Sequence, residues 1–210
     1  LDGLLMATIT NYATLKSAVA DWLNRADLTS QIETFIQLAE ADLNTRLRTR
    51  EMIVRAEATS DQQYVQLPAD WLEAINLHIV DGAQPLRFIT LDESDSIIKA
   101  QTFTAPAFYS LMNGAIEIVP APDDDIDIEM IYYGKITPLS DQSTTNWLLT
   151  KAPDIYLYGA MTHAAPFLVD DARVPVFFSA YNARVESLNA EAQRSLHSGS
   201  PLIQRTRRVY

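Results

Sequence analysis

Apolar residues first recur at helical spacing. Tyr12, Leu15, Val19, Trp22 and Leu23 fall on one face of a helix that Asn11 can cap. Ile32, Phe35, Ile36, Ala39, Leu43 and Leu47 make a second stripe, and Ser30 and Glu33 stand ahead of it at capping-box spacing. From Glu51 the period drops to about two, the alternation of a half-buried strand. Met52, Val54 and Ala56 alternate with charges, and Tyr64 to Leu67 leads into Pro68-Ala69-Asp70-Trp71. Ala74 to Val80 predicts a strand, Asp81-Gly82 a tight turn, and Pro85 to Leu91 its hairpin partner. Asp92 to Ala100 reads as a short helix. A second hairpin runs from Phe108 to Met112, turns at Asn113-Gly114 and returns from Ala115 to Val119. Ile126, Ile128, Met130 and Tyr132 share one face of a last strand, and helix resumes near Thr145 after Pro138 and Ser140-Asp141.

The chain is organised around its next stretch, Pro153 to Leu196. Pro153 suits the first turn of a helix, because its φ is already helical and it has no N–H to lose there. Ile155 to Leu168 is nearly all apolar and must be largely buried. After an acidic corner at Asp170 and Asp171, Val174, Phe177, Phe178, Tyr181, Val185, Leu188 and Ala192 recur every three or four residues, while Asn182, Arg184, Glu186, Asn189, Glu191 and Gln193 take the other face. Burying about five of the large apolar groups contributes on the order of 10 kcal/mol before entropy is subtracted. Such a face needs a partner of similar length, and the two N-terminal helices supply one.

Runs of helices set apart from runs of strands predict an α+β fold. Its plan is a helical bundle built from both chain ends, residues 6–50 and 139–197, with a mostly antiparallel β-rich region inserted over 51–138 and a C-terminal docking tail over 198–210. Met6 is read as the natural start, so the five residues before it are left out of the fold. With 48% hydrophobic residues in a chain of 210, the composition is that of an ordinary globular protein. No apolar run approaches the roughly 20 residues that cross a bilayer, and no membrane role is expected.

The net charge of −11 is unevenly placed. Residues 61–154 hold fifteen acids and four bases, while the segments on either side come to −2 and +2. A chain this acidic does not hold a DNA backbone by attraction, which takes clustered lysines and arginines. Arg46, Arg48 and Arg50 gather at one helix end, where cations suit the carbonyl dipole; they are either a solvated terminus or a contact for an acidic neighbouring subunit.

Motifs that carry chemistry are missing. The six glycines form no Gly-x-Gly cradle, no Gly-x-Ser-x-Gly elbow surrounds a serine, and there is no cysteine for a disulfide, thiolate site or thiol nucleophile. His78, His163 and His197 lie far apart and read as ordinary surface or core histidines. Asp123, Asp124, Asp125, Asp127 and Glu129 are the densest carboxylate group, but an EF-hand register places Ile128 where glycine is required and Gly134 where glutamate is. Asp127 and Glu129 read instead as outward positions on a solvated strand face; contact with a basic neighbour and binding of a cation are the other readings. No cofactor is expected. An enzyme with carboxylate chemistry, its acids drawn from distant segments, stays open as a rival.

Beyond Glu191 there are no acids, whereas Arg194, Arg205, Arg207 and Arg208 remain among Pro201, Leu202, Ile203, Val209 and Tyr210. Such a segment cannot bury enough of itself to offset the ~1–2 kcal/mol per residue lost on ordering. Apolar anchors among arginines suit a tail that folds onto another protein; a frayed terminus is the alternative.

In order and spacing, several motifs resemble the adaptor proteins of tailed bacteriophages, related to the podovirus gatekeeper or tail tubular protein A. They are Arg25-Ala26-Asp27-Leu28, Phe35-Ile36, Ala39-Glu40, Arg46-Leu47-Arg48, Leu67-Pro68-Ala69-Asp70-Trp71-Leu72-Glu73, Pro120-Ala121-Pro122, Tyr132-Tyr133 and Asn146-Trp147-Leu148. The densest stretch is Tyr156-Leu157-Tyr158-Gly159-Ala160, Ala164-Ala165-Pro166-Phe167-Leu168 and Asp170-Asp171, and the likeness spans Thr14 to Leu196. It implies a non-enzymatic head-to-tail connector, assembled in the host cytoplasm and placed at the head-tail junction of the virion. There a ring, usually of twelve copies, would sit between the portal and a tail or nozzle protein while DNA passes through without sequence-specific binding. In this picture Pro201, Leu202, Ile203, Arg205, Arg207, Arg208, Val209 and Tyr210 bind the portal. The charge reading is compatible: DNA must pass such a ring without sticking, so some carboxylates of the acidic middle are expected to line the channel. A stopper or tail-completion protein is the alternative within the same setting.

Overall fold

The pattern-derived helices form where their apolar stripes can meet. α1 (Tyr12–Leu23) starts at Asn11, whose side chain accepts from the Thr14 N–H at 2.9 Å while the Thr14 hydroxyl oxygen accepts from the Asn11 N–H at 3.0 Å. It ends at Asn24, in the left-handed region at φ 52°. α2 (Thr29–Arg46) begins one residue before Ser30, so the expected capping box does not form. Leu28 stands at the cap without a side-chain bond, Ser30 Oγ turns to Gln31, and Glu33 pairs with Lys16 at 3.0 Å. Because Leu28 is buried, the helix start is set by its packing and not by a polar cap. α4 (Trp147–Lys151) is capped by Asn146, and α5 (Pro153–Phe167) and α6 (Val174–His197) follow.

This computed structural model describes residues 8–82, 84–101, 103–168 and 173–197, without the side chains of residues 196 and 197. The architecture is α+β, and the chain divides into two compact units: Met52–Lys135, and the segments up to Glu51 and from Ile136. Asp170 and Asp171, read as an acidic corner, and the tail 198–210 lie outside the described residues. No described helix is long and apolar enough to cross a membrane.

In the helical unit α5 packs against α1, α2 and α6. Ile155, Tyr156, Ala160, Met161 and Ala164 are buried on it, facing Ile32, Ile36, Ala39 and Leu43 of α2 and Tyr181, Val185 and Leu188 of α6. The close approach is at Gly159, where a Cβ would stand 2.9 Å from Ala39 Cβ and 3.1 Å from Tyr181 Cε2. Trp22 borders the same body, with its ring edge-on to Tyr158 at 6.1 Å and tilted against Phe177 at 6.3 Å.

Polar side chains then fix the alignment of these helices. Asn189 of α6 donates to the Arg46 carbonyl at 3.0 Å and accepts from the Arg48 N–H at 3.2 Å, satisfying both sides of the α2 terminus. Asn182 accepts from the Arg46 guanidinium at 2.7 Å, Tyr181 donates to Asp42 at 2.7 Å, and Arg184 pairs with Asp154 at 2.8 Å. The side of α6 that reads as its polar face is therefore partly an inward surface.

The β unit holds two sheets. β1 (Ile53–Ser60) and β3 (Trp71–Ile79) flank β7 (Ile126–Gly134), all antiparallel. The second sheet has the order β2 (Tyr64–Gln66), β6 (Ala115–Val119), β5 (Phe108–Met112), β4 (Arg87–Phe88), and only the β4–β5 pair is parallel. Leu77, Tyr109, Ile116, Ile118, Ile128, Met130 and Tyr132 form the core that both sheets share. α3 (Leu91–Ala100) belongs to the second sheet. At the start of β3, Pro68-Ala69-Asp70-Trp71 closes a turn through the Trp71 N–H and the Pro68 carbonyl at 3.0 Å, and Tyr132 donates to Asp70 at 2.9 Å. Burial, and then Asp70, push the Tyr132 hydroxyl up to about 12.

The hairpin expected between Ala74–Val80 and Pro85–Leu91 shrinks to one bridge, His78 with Pro85, and one further bond from the Leu86 N–H to the Leu77 carbonyl. Pro85 has no N–H to extend the ladder, so the chain leaves for the second sheet and pairs there as β4. The Asn113-Gly114 hairpin forms as read, with Met112 opposite Ala115 and φ of 42° and 80° at the turn. A Cβ at Gly114 would meet nothing within 4 Å, so any cost there is backbone strain. Gly114→Ala is expected to destabilise the β unit by ~1–2 kcal/mol, read from its urea midpoint; an unchanged midpoint would contradict the assigned turn.

Candidate functional site

Three acids are buried among the described residues, and each is already committed to holding the fold. Glu40 of α2 accepts from the Leu139 N–H at 2.8 Å and from the Tyr156 hydroxyl at 3.3 Å. Asn146 donates to that same Tyr156 oxygen at 2.7 Å and to the Thr137 carbonyl at 2.8 Å, so α2, α5 and the strand-to-helix connection meet in one network. Burial raises the Glu40 pKa, while its two hydrogen bonds work the other way. Burial, followed by the charge on Glu40, also drives the Tyr156 pKa upward.

Glu117 sits mid-strand in β6 between Ile116 and Ile118, and is 3% exposed. It accepts from Ser94 at 2.8 Å, Ser110 at 2.6 Å, Tyr64 at 3.1 Å and Gln63 at 3.2 Å. Glu129, read from the sequence as an outward, solvated position, is buried. Its strand β7 is the central one, so Arg55 from β1 and His78 from β3 close over it at 2.9 and 3.2 Å. Alternation along one strand gives the face but not whether neighbours cover it. Asp127 is exposed, as expected, and accepts from Thr59. Asp123, Asp124 and Asp125 are exposed as well.

His163 on α5 is partly buried, which lowers its pKa below the ordinary 6.5 against the pull of Asp42. Among the described residues no group of three or more His, Asp or Glu is placed to hold a metal ion. Arg46 points into the α2–α6 contact, over the Tyr181 ring at 5.2 Å, and is not part of a solvated helix end. Arg50 remains at the surface, 3.9 Å from Glu51.

What the described surface does offer is apolar. On the helical unit Leu38, Phe167, Val176 and Phe178 are large exposed side chains, Val176 at 66%. On the β unit a shallow cleft of about 440 Å³ lies between the β2–β3 connection and the β5–β6 turn, lined by Leu67, Pro68, Trp71, Leu111 and Met112. Trp71 brings a buried indole N–H with no acceptor among the described residues. Contiguous apolar surface marks contacts with other macromolecules or grooves for a ligand.

The sequence-derived portal-binding residues, Pro201, Leu202, Ile203, Arg205, Arg207, Arg208, Val209 and Tyr210, all lie outside the described residues. α6 is described as far as His197, and the proposed tail starts at Ser198, outside the described residues. Sequence reasoning missed Glu117 and Asn189. The signal for the first was a carboxylate centred in an Ile-Glu-Ile strand; for the second there was none, because an asparagine on a polar helix face looks solvated.

Compared with known families, residues 10–205 match the SU10 adaptor protein family. The chain belongs to that family. The SU10 adaptor match takes in every element of both units and extends into the tail as far as Arg205. It makes this SU10 adaptor family member a phage adaptor protein, which agrees with the adaptor resemblance read from the motifs. No curated protein matches the chain.

Proposed function

We propose that this adaptor is a structural head-to-tail connector. Copies of the chain form a ring, of twelve in this reading, between the portal and a tail or nozzle protein, and DNA passes through without being bound by sequence. The observation that carries the reading is the family match across nearly the whole chain. Two further features support it. The three buried carboxylates among the described residues are each taken up by hydrogen bonds or ion pairs that hold the fold together, as suits a structural part. The acidic balance of residues 61–154 also suits a passage that must release DNA, since carboxylates facing it repel phosphates over about 8 Å at physiological salt.

Functionally the chain divides into the bundle of 6–50 and 139–197, the inserted β-rich region of 51–138 and the tail of 198–210, where Pro201, Leu202, Ile203, Arg205, Arg207, Arg208, Val209 and Tyr210 grip the portal. Deleting Pro201 to Tyr210 tests this. Binding to portal-containing heads should weaken by about a hundredfold or more, ~2.7 kcal/mol, with the melting temperature unchanged. Full-strength binding by the truncated chain would remove the tail from the interface, and binding to completed tails alone would favour a stopper or tail-completion protein.

A further inference from the structure

α3 is covered less than any other long helix described here. Eight of its ten residues are exposed, and Ser94 is its only buried one. Leu91 and Ile98, at 46% and 40% exposed, are poorly covered, and Ile97 is half-buried against the small cluster of Ile89, Phe108 and Val119. The specific tie is one hydrogen bond, from the Ser94 hydroxyl to Glu117 of β6 at 2.8 Å.

Both sides of that tie are self-sufficient without it. The helix closes its own ends: Glu93 accepts from the Thr90 N–H at 3.0 Å, Thr90 accepts from the Glu93 N–H at 3.4 Å, and Gln101, at φ 50°, returns its N–H to the Ile97 carbonyl at 3.0 Å. Glu117 keeps three other donors, Ser110 at 2.6 Å from β5, Tyr64 of β2 and Gln63 just before it. The sheet keeps its five-pair β5–β6 ladder and the core on its opposite face. Releasing α3 therefore leaves no carboxylate stranded, and the apolar area newly wetted is confined to Ile97 and the small cluster of Ile89, Phe108 and Val119 beneath it, away from the core that the two sheets share. A segment held by so small a contact opens below the global unfolding energy.

We infer that α3 is a lid over one face of the four-stranded sheet, latched by Ser94 on Glu117 and able to lift while the sheet stays folded. Lifting uncovers Glu117, paired with Ser110 and next to the Phe108–Val119 pair, a surface with a carboxylate that the closed form hides.

Hydrogen exchange on the full chain, followed peptide by peptide, tests the lid. In the wild type the α3 amides should exchange at least about tenfold faster than those of β5 and β6, with rates nearly insensitive to low urea. Ser94→Ala should speed α3 about another tenfold and leave β5 and β6 as they were, while Ser94→Thr, which keeps the hydroxyl, should restore the slower rate. If α3 and the β5–β6 strands exchange at one common rate with one common urea dependence, the helix opens only with its unit and the lid is wrong. The wild-type measurement decides this by itself should Ser94→Ala fail to fold.

Discussion

Gly159→Val is expected to unfold the helical unit at temperatures where the wild type is intact. A Cβ alone at this site would sit 2.9 Å from Ala39 Cβ and 3.1 Å from Tyr181 Cε2, and valine adds two further carbons in the seam where α5 meets α2 and α6. Neither neighbour yields easily. Ala39 Cβ moves only with its backbone, and Tyr181 is held by its hydrogen bond to Asp42 at 2.7 Å. Overpacking of this kind costs ~3 kcal/mol or more. Gly159→Ala should cost less, ~1–2 kcal/mol, because alanine recovers about 1 kcal/mol of helix propensity against the same contact. Pairing it with Ala39→Gly removes the closest of these contacts and should recover part of that loss, a coupling that independent sites would not show. Urea unfolding followed by the emission of Trp22, beside Tyr158 and Phe177, reports on this unit. A valine variant with a wild-type midpoint would mean that the three helices do not approach so closely.

The second large effect is expected at Glu40. Glu40→Ala strands the Leu139 N–H and the Tyr156 O–H at a site only 6% exposed, and each lost partner costs ~1–3 kcal/mol, so a total of about 3–5 kcal/mol is expected. Glu40→Gln should behave differently, because its amide oxygen still accepts both bonds while the buried charge is gone. Burial raises the Glu40 pKa above its ordinary 4.5, so the folded chain holds this proton more tightly than the unfolded one. The stability that follows is fully present below pH 4.5 and is lost as pH rises through the higher folded value. Glutamine removes that dependence. Thermal melts of the two proteins from pH 4 upward should diverge in this window, with the glutamine variant equal or better at neutral pH. Parallel curves would show that the carboxylate is already well solvated.

Why some of this was legible and some was not comes down to distance along the chain. The stripes of α2 and α6, the cap at Asn11, Pro153 at a helix start and the Asn113-Gly114 turn are set by residues within about one helical turn of each other, which is the range that pattern reading covers. The Ser30 cap failed because packing of Leu28, not a local hydroxyl, sets the start of α2. The first hairpin failed because β4 finds a partner about twenty residues further along, in β5, and Glu129 was misplaced because strand order decides which strand is central. Glu40 was visible as a motif member, yet its partners at Leu139 and Tyr156 lie about a hundred positions away. For the site itself, the sequence pointed to a tail and an acidic middle, whereas the apolar cleft and the Glu117 latch arise only once distant strands are side by side.

The rungs along α6 have a mechanical consequence. Asn182 and Asn189 tie that helix to the end of α2, Arg184 ties it to Asp154 of α5, and Glu191 ties it to Lys151 of α4. Tension applied beyond His197 would be shared among these rungs in shear instead of peeling them off one by one. A chain that is tugged at its C-terminal end would thus hand the load to three other helices before α6 itself could slide.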